Sequence, residues 1–230
     1  MTGTLQALTL ATLAFLAIHI LPSSFLRSAL VNKVGEKAYL GLFSLASALI
    51  LFWMVQAYIA SPEGPLLWQF ENGARYTAIV LMVVASILFF SSFTVKNPTS
   101  IGAEGAVTSE KARSGIMSVT RHPMMWSFVL WAIAHLLNNG DLKSVIFFGG
   151  FGLLALIGTF MIDQKRSKAL GADWVSFRQD TSNIPFAAIL TGRAKLSIGQ
   201  LWWRVLAGLV LFMGLFHMHA MIIGVPPYPL

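Results

Sequence analysis

The chain contains no cysteine. That absence removes disulfides, thiolate-ligated iron–sulfur clusters, cysteine zinc sites and thioether haem attachment together. Histidine, methionine and carboxylates are left as the side chains that could hold a metal. Charge is the second scarcity: 11% of the residues are Asp, Glu, Lys or Arg, against roughly 25% in a soluble domain. With 56% hydrophobic residues and a mean hydropathy of +0.72, the composition is that of an integral membrane protein. No internal repeat and no low-complexity segment is visible. The expectation is an all-α, polytopic membrane helix bundle, a single domain over residues 1–230.

Apolar runs occupy Leu5–Leu21, Ala38–Ala60, Tyr76–Phe93, Pro123–Leu137, Leu142–Ile162 and Gln200–Ile223. Most approach the ~20 residues that cross a bilayer, which gives about six spans; the fourth is the shortest. Leu5–Leu21 has no basic stretch before it and no small-residue cleavage site after it, so it reads as a retained helix. The net charge of +7 would by itself suit nucleic acid or anionic lipid. Its location decides for lipid. Of the 16 Lys and Arg, all but Arg75 and Lys143 lie in the connections that follow spans one, three and five or, for Arg204, at the adjoining end of span six. By the positive-inside rule those connections are cytoplasmic and both termini are periplasmic, with the basic surplus facing headgroups. Within the last of them, Asp163–Asp180 has Leu170, Trp174 and Phe177 at helical spacing beside Lys165, Arg166, Lys168 and Arg178, the pattern of an interfacial amphipathic helix. Span five carries Gly149, Gly150, Gly152 and Gly158, small residues that let helices approach closely.

The chain is organised around Arg121–Asp141, RHPMMWSFVLWAIAHLLNNGD. Pro123 suits a first helical position, where its missing N–H costs nothing, and Asn138-Asn139-Gly140-Asp141 stops the helix. His122 and His135 lie near its two ends, ~20 Å apart along the axis. The other histidines are His19, His217 and His219, so all five sit within or at the ends of spans, where ionisable groups are functional candidates. Depth along the chain puts His19 and His122 at the cytoplasmic level and His135, His217 and His219 towards the outer one. Facing histidines on neighbouring helices can hold a haem iron, and Arg27, Arg113 and Arg121 on the cytoplasmic rim could meet its propionates. Met124 and Met125 are further axial candidates.

Several motifs carry a resemblance: AIHILPSSFLRSALV, GEKAYLGLFSLAS, KNPTSIG, the long ARSGIMSVTRHPMMWSFVLWAIAHLLNNGDLKSVIFFGGF, IDQKRSKALG and TSNIPFAAILTGR. Across nearly the whole chain they resemble the NnrU family of bacterial membrane proteins, which implies an inner-membrane location and a link to denitrification and nitric oxide. The chain is also similar to the 15-cis-zeta-carotene isomerases, membrane enzymes that use haem b with histidine ligation. That likeness implies a haem-dependent cis–trans isomerase with His19 as one axial ligand and the position of His135 as the second, where depth alone pairs His19 with His122. A separate likeness joins RHPMMW to DQKRSKALGADWVSFRQDTSNIPF. It resembles the isoprenylcysteine carboxyl methyltransferases, which implies S-adenosylmethionine binding; here Asp163 stands near their glutamate and Trp174 and Phe177 replace tyrosines. A third alternative is a non-catalytic assembly factor for respiratory enzymes.

Overall fold

The computed structural model describes residues 3–21 and 26–228. Pro22, which follows the first span in sequence, lies outside them. The described residues form α1 (Leu5–Leu21), α2 (Arg27–Val34), α3 (Glu36–Ala60), α4 (Asn72–Ser92), α5 (Ile116–Val119), α6 (Pro123–Asn138), α7 (Leu142–Asp180), α8 (Ala187–Leu190) and α9 (Ile198–Ile223), with two 3-10 turns between α4 and α5. Every expected span is a helix. Four of them, α3, α4, α7 and α9, are long and apolar enough to cross a membrane, while α1 and α6 are shorter apolar helices of 17 and 16 residues. At 1.5 Å per residue those two reach about 25 Å, most of a ~30 Å hydrocarbon layer. On α3, Leu42, Leu45, Leu49 and Phe52 form a stripe in which each residue is more than half exposed; at membrane depth this is a lipid-facing surface.

Local chemistry explains the helix ends. Thr4 accepts the backbone N–H of Ala7 through its hydroxyl at 3.1 Å, and Asp141 accepts that of Ser144 at 2.9 Å, so each caps the helix that follows it. Gly224 closes α9 with φ 86° and donates to Ala220 O, a left-handed stop that glycine makes without a Cβ penalty. α7 continues beyond span five and kinks at Gly171 (φ 53°, ψ −122°).

Backbone packing divides the chain into two compact units. The first comprises residues 1–70 and 135–154. Here α1 and α3 pack together, and α7 approaches α1 so closely that a Cβ on Gly150 would lie 2.4 Å from a methyl of Thr12. Gly149 meets nothing, so of these two adjacent glycines only Gly150 serves close packing. After α3 the chain extends across the α6–α7 turn: Leu67 N donates to Gly140 O at 2.8 Å, Leu142 N to Pro65 O at 3.0 Å and Lys143 N to Glu63 O at 3.0 Å. A Cβ on Gly140 would stand 1.9 Å from the carbonyl oxygen of Trp68. Gly140→Ala is therefore expected to push the two segments apart and lower stability by at least the ~1–3 kcal/mol of an overpacked core. Gly149→Ala, with open space at its Cβ, should melt like the wild type in a thermal size-exclusion assay.

The second unit comprises residues 71–134 and 155–230. α4 packs on α9, where a Cβ on Gly208 would lie 2.5 Å from the Cα of Ile87. Its core joins Leu88, Val107, Ala112, Ile116, Met117, Val119, Trp174 and Phe177. The segment 163–180 is the expected helix, and its apolar face is occupied by protein. The segment is helical with one apolar face, but Trp174 and Phe177 are fully buried and Leu170 packs against the same core. The Gly- and Ser-rich stretch before α6 folds into short helical turns that cover this face. Arg166 is buried too, bonded to Glu104 at 2.6 Å and to Ser100 O at 2.8 Å. Only Lys165, Lys168 and Arg178 of the four expected cations stay exposed.

Candidate functional site

The histidines fall into different surroundings. His19 is one turn beyond Phe15 on α1, so the two side chains share a face. Its Nδ1–H donates to Phe15 O at 2.7 Å, which fixes the tautomer and leaves Nε2 with the lone pair, the arrangement found in metal-ligating imidazoles. Rings of Phe15 and Phe43 stand 4.4 Å and 5.5 Å from it. A row of aromatic contacts then runs from Phe15 to Phe151 (5.1 Å), Phe147 (5.3 Å) and Phe148 (5.2 Å), and Phe148 stacks on His135 at 4.6 Å with 22° between the planes. Tyr58 stacks on Phe147 at 4.5 Å. His19 and His135 thus belong to the same unit and are linked by four phenylalanine rings. The Phe15–His19 spacing was legible in the sequence; the row through α7 was not, because three of its rings belong to a helix distant in the chain.

His122 is placed elsewhere, in the second unit, beside Arg121 and Asp163. Its Nε2–H donates to Asp163 Oδ1 at 2.7 Å, and the ring is fully buried. Arg121 Nε bonds both oxygens of the same carboxylate, at 2.9 Å and 3.1 Å, and Nη2 pairs with it as well. Asn183 Nδ2 adds a longer contact of 3.4 Å. The Arg121 guanidinium also donates to Thr181 O and lies over the Trp174 ring at 5.9 Å. Asn97 and Thr99 hold the carbonyl of Arg121 from the other side. Burial pushes the His122 pKa down, outweighing the upward pull of Asp163. That direction favours the neutral imidazole, and among the described residues Nδ1 is enclosed without a hydrogen-bond partner. Asp163 was visible beforehand only through the methyltransferase likeness. The residues that carry that likeness do meet, but they bind one another: the carboxylate's acceptor sites are taken up by Arg121, His122 and Asn183.

The remaining candidates are separate. His217 donates Nδ1–H to Met213 O and His219 to Val225 O, each at 2.7 Å, at the far end of α9. Arg113 pairs with Asp180 at 2.6 Å and donates to Ser176; Arg121 has Asp163, and Arg27 pairs with Glu36 and lies 5.5 Å over Tyr39. All three arginines proposed for propionates thus already face a carboxylate. Arg27 alone shares a unit with His19 and His135. Gly158, not a packing glycine for another helix backbone, sits 3.5 Å by its virtual Cβ from the sulfur of Met125, which makes that methionine a packing contact. Among the described residues no three His, Asp or Glu side chains converge as a metal cluster.

These observations define a class: a multi-pass α-helical membrane protein with a row of aromatic rings between His19 and His135 and a buried Arg–His–Asp cluster at a helix junction. The chain belongs to the NnrU family, described as NnrU protein, which matches residues 7–227. It is 30% identical over 197 residues to the chloroplastic 15-cis-zeta-carotene isomerase of Arabidopsis thaliana, covering 83% of this chain and 52% of the isomerase. The corresponding isomerase of Zea mays is 30% identical over 202 residues, covering 81% of this chain and 51% of the enzyme. The chain therefore spans about half the length of the curated relatives it matches. No solved structure matches it.

Proposed function

We propose that this protein is a haem b-dependent membrane isomerase that acts on the cis double bond of an apolar polyene. The observation that carries the reading is the likeness to two plant isomerases along more than four fifths of this chain. The donors are of the right chemical kind, since His19 has its Nε2 lone pair directed by the Phe15 carbonyl and His135 lies in the same unit, but four phenylalanine rings stand between the two, so both can reach one iron only after that row opens. His122 is the poorer second ligand, since its Nε2 is held by Asp163. A haem held by His19 and His135 would supply a ferrous iron that lowers the double-bond character of a bound polyene. The chain's own part is to orient the two imidazoles and, through Phe15, Phe43, Phe147, Phe148 and Phe151, to keep water from an apolar substrate. No proton has to be moved in a cis–trans isomerisation. The same reading puts the protein in a bacterial inner membrane with basic connections inside and both termini outside.

The test is to purify the protein from cells supplied with haem, record its visible spectrum and pyridine haemochrome, and give the reduced protein 15-cis-zeta-carotene. A stoichiometric b-type spectrum and loss of the 15-cis isomer on chromatography are expected. A protein that shows no Soret band after reconstitution with haem overturns the reading.

A further inference from the structure

The helix between α1 and α3 has an apolar stripe that the described residues leave about two-fifths exposed. α2 spans eight residues, none of them buried. Its least exposed positions, Arg27 and Val31, are one turn apart and so share a face. Arg27 reaches across to α3, pairing with Glu36 and lying over Tyr39. Gly35, at φ 83°, makes the sharp turn between the two helices, and α2 packs on α3. The neighbouring stripe, Leu26, Leu30 and Val34, repeats every four residues and is 40%, 39% and 43% exposed. Ser28 and Asn32 stand on the opposite side, both exposed. Lys33 lies beside the apolar stripe and Lys37 follows at the start of α3, while Glu36, the only acid in the stretch, is taken by Arg27.

We propose that α2 lies on the cytoplasmic surface of the bilayer, with Leu26, Leu30 and Val34 in the headgroup–acyl boundary and Lys33 and Lys37 on anionic phospholipid headgroups. Two facts on either side of it dictate the occupant. α2 is joined to the inner ends of α1 and α3, apolar helices that hold it at the membrane surface. Its unpaired charge is positive, which suits an anionic leaflet and disfavours water for neither lysine nor their aliphatic stems, long enough to lie along the apolar stripe. The membrane contact that the sequence suggests for 163–180 is thus made by a different helix, since Trp174 and Phe177 are spent on the protein's own core. This inference depends on the membrane topology and not on haem or isomerase activity.

The lack of native cysteine makes the test direct. Leu30→Cys, Val34→Cys and Asn32→Cys, each carrying a nitroxide, are placed in nanodiscs containing phosphatidylglycerol, and collisions with oxygen and with a water-soluble nickel chelate are compared. Oxygen should dominate at 30 and 34 and the chelate at 32, a reversal along one turn of helix. Exchange of phosphatidylglycerol for phosphatidylcholine, or Lys33→Gln with Lys37→Gln, should move the labels at 30 and 34 towards the chelate. Labels at 30 and 34 that meet the chelate as freely as the one at 32 overturn the proposal. So do labels shielded from both reagents, which would mean a protein partner or a second copy, and so does indifference to headgroup charge.

Discussion

His19→Ala and His135→Ala should each strip most of the haem, or turn a low-spin spectrum high-spin, whereas His122→Ala should keep the Soret band and lose stability instead. Two imidazoles on one iron bring their nitrogens to about 4 Å from each other, given metal–nitrogen bonds of about 2 Å. His122 and His135 are ~20 Å apart along one helix, so they cannot both oppose His19 at the same iron. The structure separates the two by surroundings. His135 stacks on Phe148 in the unit that holds His19, while His122 is buried against Asp163 in the other. No cysteine stands ready to replace a lost imidazole, and methionine is the weaker alternative. Spectra of the three variants, purified at equal occupancy of the membrane fraction, decide the matter. Loss of haem from His122→Ala with retention in His135→Ala would reverse the assignment, and unchanged spectra in all three would end it.

Asp163→Ala should be the most damaging single change in the second unit. It leaves the Arg121 guanidinium, 5% exposed, without its counter-charge and His122 without its acceptor. Breaking a buried pair by removing one partner costs about 3–5 kcal/mol, enough to unfold many proteins outright. Asp163→Asn keeps the shape but not the charge and should recover only part of this. The double variant Arg121→Met with Asp163→Leu should be milder than Asp163→Ala, because no orphan charge remains. Thermal midpoints from size-exclusion profiles measure all three; an Asp163→Ala midpoint equal to wild type would show that the cluster is not a structural tie. Acid should act in the same direction. The His122 pKa lies below its ordinary value in the folded protein, so the unfolded chain takes up the proton first. Stability from this group is complete above about pH 6.5 and declines as the pH falls below it.

Hydrophobic run length and punctuation determined the helices. α6 begins at Pro123 and ends at Asn138, where the turn residues begin, and the weak length of that run was already plain. Run length is a local property, and a bilayer forces each apolar segment to satisfy its own backbone as a helix, so the sequence alone sufficed for it. Which faces meet is not local. Leu170, Trp174 and Phe177 lie on one apolar face whether that face meets lipid or Val107 and Met117; the periodicity is identical, and only the fold of residues 94–120 over them decided for protein. The histidines show the same limit. Counting residues along the axis gives depth, which paired His19 with His122. Depth says nothing about rotation around a helix or about which helices are neighbours, and these put His19 against Phe15 and Phe43 and gave His122 to a carboxylate 41 residues away in sequence.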